Sequence, residues 1–85
     1  MPYIKQGRRQ EVLDTKHPED AGELNYLLTM FVLSYWFNRQ NYQAIADITG
    51  VLENIKQEFY RRIAVPYEDM KKEHNGDVFD ILGGN

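Results

Sequence analysis

The 85-residue chain has no cysteine and a single serine, Ser34. The first absence excludes a disulfide framework and any thiolate metal site. With the lone serine set in an apolar stretch and no histidine at helical spacing from it, nucleophilic catalysis has no starting constellation. His17 and His74 are isolated, and no His-x-x-x-His or Glu-x-x-His pair exists, so no metal and no cofactor is expected. Glycine-rich phosphate loops are absent, and the pair Glu68/Asp69 is better explained by helix capping than by acid–base work. The expectation is a protein that is not an enzyme. A net charge of −3 with mixed signs gives no global basic field, which disfavours nucleic acid as a partner. Two small basic spots, Lys5/Arg8/Arg9 and Arg61/Arg62, read as solvated faces. Behind the opening MPYIKQGRR there is no apolar run, so no signal peptide is expected.

What the chain does have is one uncharged stretch, Leu24 to Asn38, LNYLLTMFVLSYWFN. It is shorter than the roughly 18 apolar residues of a membrane span and is interrupted by Asn25, Thr29 and Ser34, so it reads as a core helix and no membrane association is expected. Apolar residues recur at helical spacing on one face (Leu24, Leu27, Leu28, Phe31, Tyr35) and on a second (Tyr26, Met30, Leu33, Phe37). A helix apolar on nearly all sides has to be covered all round. Asp20 and Glu23 have capping-box spacing at its start, with acids at the positive dipole end.

Asn41 caps a second helix in which Ile45, Ile48, Leu52, Ile55 and Phe59, then Arg62/Ile63, follow a 3-4-3-4 rhythm, the seam of a helix that packs along a neighbour. Gly50 inside it is expected to let another backbone approach. The expected fold is all-α, one small helical domain over 1–85: an antiparallel helical hairpin (about 21–39 and 42–64), an extended N-terminal arm over Met1–Gly7, one or two helical turns over Arg8–Asp14, and a short C-terminal helix with a tail. Pro66 is expected to end or kink the second helix, Asn75-Gly76 to stop the short one, and Gly83-Gly84-Asn85 to fray. One amphipathic helix covers one side of the central helix, so the chain is expected to associate with itself as a homo-oligomer.

Three blocks together carry a family resemblance: Met1-Pro2-Tyr3-Ile4; Gly22-Glu23-Leu24-Asn25-Tyr26; and Tyr60-Arg61-Arg62 followed by Pro66-Tyr67-Glu68-Asp69, Lys71 and Asn75-Gly76-Asp77-Val78-Phe79. With them the chain resembles a family of small uncharacterised proteins from tailed phages and prophages. This chain departs from the family in a shorter segment before the Gly-Glu-Leu-Asn-Tyr block and in continuing past Phe79 to Asn85. The resemblance implies a phage origin, and with it a place in the cytoplasm of the infected bacterial host; it implies no reaction.

The candidate ligand-binding residues are Arg61, Arg62, Tyr67, Asp69, Lys71 and Asn75 around a helix–proline–helix corner, with Tyr3 and Lys5 of the arm closing over it. Guanidinium groups bind phosphate bidentately, and a tyrosine ring stacks on a base. The functional expectation is a counter-defence binding protein that sequesters a nucleotide-derived immune signal, a cyclic nucleotide or ADP-ribose derivative, at subunit interfaces. The alternative is a protein–protein inhibitor or adaptor acting on a host or virion protein.

Overall fold

In the computed structural model, which describes residues 1–82, the chain is all-helical. The elements are α1 (Gln6–Thr15), α2 (Ala21–Phe37), α3 (Tyr42–Phe59), a π-helical turn (Tyr60–Ala64), α4 (Val65–Asn75) and a 3₁₀ turn (Val78–Leu82). The expected fraying of Gly83–Asn85 lies outside the described residues. Contacts divide the chain into two units, Met1–Ile48 and Thr49–Asn85.

The first unit is built on α1 packed against α2. α1 begins two residues earlier than expected: Gln6 and Gly7 belong to the helix rather than to the arm, and a side chain at Gly7 would meet open space. The arm is thus reduced to Met1–Lys5, where the Ile4 amide donates to the Pro2 carbonyl at 3.0 Å. It comes to rest on the first turn of α2, since a Cβ at Gly22 would lie 3.4 Å from the Met1 carbonyl and 3.5 Å from Ile4. α1 closes with Lys16 in the left-handed region (φ 54°), its amide donating to the Val12 carbonyl at 2.8 Å.

α2 starts where the capping residues place it. Asp20 has extended dihedrals, and its carboxylate accepts from the Glu23 amide at 2.8 Å. Glu23 departs from the expected box: its own carboxylate accepts from the Glu19 amide at 3.0 Å instead of reaching the cap residue. Val12 and Leu27 are the large apolar residues buried here. Leu24, Leu28, Phe31 and Phe37 stay between 44% and 62% exposed, so α2 is not covered all round within the first unit. The turn after α2 carries Gln40 at φ 44°, and Asn41 then caps α3, accepting from the Ala44 amide at 2.7 Å. Tyr35 ties the two helices together, its hydroxyl donating to Asp47 at 3.2 Å while Arg39 lies 3.8 Å over its ring.

In the second unit the expected end of the helix at Pro66 is corrected to a helical path that continues through it, and the short helix with proline in its first turn is found as α4. Ala64 and Val65 keep helical dihedrals, and the chain passes from α3 through the π turn into α4. A proline in a helix lacks its own N–H, and its ring crowds the carbonyl four residues back, here that of Arg62. The wider π turn just upstream, in which the Val65 amide donates to Tyr60 five residues back, shifts that register and accommodates the ring. α4 ends as expected, with Gly76 at φ 89° and its amide donating to Lys72 at 2.8 Å. The tail after it is the 3₁₀ turn rather than a strand, opened by the Asp77 carboxylate accepting from the Phe79 amide at 2.8 Å.

Burial is concentrated in the first unit: Val12, Glu23, Leu27 and Ala44 are buried, whereas from Thr49 to Asp80 no residue is buried and only Ala64 and Asp77 are half-buried. Truncating Val12 to alanine removes two wholly buried methyl groups. It is expected to lower unfolding stability of the first unit by about 2 kcal/mol, measured by urea titration followed by circular dichroism.

Candidate functional site

The eight residues expected to bind a ligand fall into both units. Tyr3, which is exposed, and Lys5, which stands at the start of α1, lie in the first. Arg61, Arg62, Tyr67, Asp69, Lys71 and Asn75 lie in the second, spread along the π turn and α4. Arg61 and Arg62 share one carboxylate: Arg61 Nη2 donates to Glu58 Oε1, and Arg62 Nε to Glu58 Oε2 at 2.8 Å. Both guanidiniums stay largely exposed, 70% and 75%. Such helix-surface pairs contribute only a few tenths of a kcal/mol, so they pre-align the two arginines without locking them. Tyr67 and Lys71 face each other one turn apart, the ammonium 5.7 Å from the ring centroid. Asp69 is 3.9 Å from Lys72, which also lies 4.0 Å from Asp77. Asn75 is the last residue of α4.

Two concavities touch these residues. One, of about 410 Å³, lies between α4 and the 3₁₀ turn and includes Asp69, Lys71, Lys72 and Asp77 in its wall. The other runs beside Glu53, Gln57, Glu58 and Arg61, all from a single stretch of helix. A helix supplies one wall of a site and no more. Among the described residues no three His, Asp or Glu side chains converge as metal ligands. Nor is any helix among them long and apolar enough to cross a membrane. Ser34 donates to the Phe31 carbonyl at 2.8 Å within α2.

The best-built polar cluster is one the sequence did not announce. Arg8 meets Glu23 with two parallel bonds, Nε to Oε2 at 2.7 Å and Nη2 to Oε1 at 3.0 Å. The same guanidinium reaches Glu11 at 2.8 Å, Glu19 at 3.6 Å and the His17 carbonyl at 3.5 Å. Glu23 is 7% exposed, which makes it the buried charge of the molecule among the described residues. The Arg8 bonds, then the Glu19 amide, hold its carboxyl below the ordinary value of 4.5, and Arg8 is in turn held more firmly cationic than a free arginine. Arg9 donates to the Ile4 carbonyl at 3.1 Å and lies 5.8 Å over Tyr26. The supposed basic face Lys5/Arg8/Arg9 is therefore corrected: two of its three cations are engaged in holding the arm, α1 and α2 together. A signal was present, since Glu23 is the last acid before an uncharged stretch of fifteen residues. Its partner lies fifteen positions away, beyond the reach of local pattern.

A depressed carboxyl pKa contributes stability that is present above the ordinary glutamate value and is lost as pH falls through the lowered one. The chain is thus expected to lose thermal stability as pH falls below about 4.5. Glu23→Gln is expected to melt lower at pH 7 and to show a shallower decline on acidification, read from melting curves between pH 7 and pH 2.5.

Residues 1–78 match the family model described as "Domain of unknown function (DUF6899)", and the chain belongs to that family. No curated protein and no solved structure matches it.

Proposed function

For a member of this family we propose a non-enzymatic binding protein that acts as a homo-oligomer, its ligand held where copies meet. The observation that carries this reading is the bare second unit. From Thr49 to Asp80 no residue is buried, while Val51, Leu52, Ile55, Phe59 and Ile63 are 43–57% exposed apart from Phe59 at 62%. Apolar patches of this extent are rare on a monomer. Either the expected hairpin with α2 or a second copy would cover them.

The ligand class is a nucleotide-derived anion, such as a cyclic nucleotide or an ADP-ribose derivative. Arg61 and Arg62 are adjacent, exposed and aligned by Glu58, with Tyr60 and Tyr67 exposed on the same stretch. What one helix lacks as a site, an opposing wall, a neighbouring copy supplies. The phage origin and the host cytoplasm belong to the same proposal: a small accessory protein that removes an immune signal by stoichiometric capture. A second reading, inhibition of a host or virion protein, is favoured by the exposed α2 stripe of Leu24, Leu28 and Phe31, which suits a helix groove on a partner.

Calorimetric titration with a panel of cyclic dinucleotides and ADP-ribose derivatives tests the first reading. Saturable heat with at least one of them is expected. Arg61→Ala is expected to weaken that binding roughly tenfold or more, the loss of one charge-assisted hydrogen bond, with unchanged helicity. No heat with any compound contradicts the nucleotide reading, and recovery of one stoichiometric host protein from lysate supports the second.

A further inference from the structure

Among the described residues the buried ones all lie before Thr49, and the second unit holds its helical form with only Ala64 and Asp77 half-buried. A helix in water gains most of its stability from burying an apolar face, not from its internal hydrogen bonds. Chains of fewer than about 40 residues rarely sustain a core without further support. The second unit, Thr49–Asn85, is of that size and lacks cysteine, and among the described residues it has no cluster of metal ligands. Its support has to come from outside the unit, from the rest of the chain or from another copy.

We infer that the seam Leu52, Ile55, Phe59 and Ile63 is the face through which two copies of this chain pair, helix against helix. The inference rests on the homo-oligomer reading and specifies where the copies meet. Three observations select a second copy as the occupant. The seam keeps 3-4 spacing, which packs against an identical seam at a shallow crossing angle, so self-pairing needs no foreign complement. No charge interrupts it before Arg62, whereas Glu53, Gln57 and Arg61 lie on other faces of the helix. Its area is also adequate. Leu52, Ile55, Phe59 and Ile63 are 43%, 55%, 62% and 57% exposed, flanked by Val51 at 54%. At roughly 100 Å² each, half of a large apolar side chain, they offer about 500 Å². The stem of Lys56 beside them brings the face close to the roughly 600 Å² per partner at the low end of standard interfaces. A foreign partner met only on occasion would leave this unit uncovered for the rest of the time.

Because the chain has no cysteine, single cysteines report the pairing directly. Leu52→Cys, Ile55→Cys and Phe59→Cys are oxidised singly and in equimolar pairs, which covers parallel and antiparallel registers. Gln57→Cys on a non-seam face is the control. At least one seam combination is expected to give disulfide-linked dimers about tenfold faster than the control, because bridging requires Cα atoms within about 7 Å. Sedimentation of the wild-type chain is expected to give a dimer or a multiple of it. A wild-type monomer at tens of micromolar, or an oligomer in which no seam combination links faster than Gln57→Cys, overturns the inference. So does an intrachain link in monomeric Leu28→Cys/Leu52→Cys, which would make α2 of the same chain the cover. A cross-linked dimer that binds no nucleotide leaves the pairing intact and removes only the ligand reading.

Discussion

Hydrophobic burial is the constraint on which this molecule turns, and it is distributed unevenly. Val12, Leu27 and Ala44 are buried in the first unit, and among the described residues the second has no counterpart. The apolar content needed for a core is nevertheless present in the second unit, displayed along Leu52, Ile55, Phe59 and Ile63. A chain with 42% hydrophobic residues is not short of apolar surface.

In the first unit a small apolar core is completed by a charge pair. Arg8 and Glu23 join α1 to α2 across fifteen residues, and Glu23 also accepts the Glu19 amide in the connecting loop. Removing a buried charge's partner leaves that charge uncompensated, so such pairs specify one arrangement even where their net contribution to stability is small. Arg9, through the Ile4 carbonyl and the Tyr26 ring, brings the arm into the same assembly. Three sequence blocks that looked independent, the opening arm, Arg8-Arg9 and Gly22-Glu23, are therefore parts of one structural joint.

Local chemistry was legible in the sequence. Asp20, Asn41 and Gly76 delimit helices as their side chains and conformational freedom dictate, and the 3-4 spacing of the second helix marked its apolar face. Three features were not legible. Gly7 near the end of an arm reads as a helix breaker, yet a glycine costs a helix only about 1 kcal/mol, and the anchoring of Arg8 and Arg9 offsets it. Pro66 reads as the end of a helix, yet a π turn upstream carries the helix past it. The Arg8–Glu23 pair has no local signature at all. Of the candidate site, the arginine pair and its partner Glu58, four residues before Arg62, were legible, whereas the unbroken helical path through Pro66 was not.

The central claim, that the second half of this chain is helical by virtue of association, is tested most directly by amide hydrogen exchange at a series of protein concentrations. The account predicts that protection between Thr49 and Asn75 rises with concentration, while protection between Gln6 and Phe37 stays constant. Equal protection of both stretches at the lowest concentration, unchanged on raising it, would contradict the account.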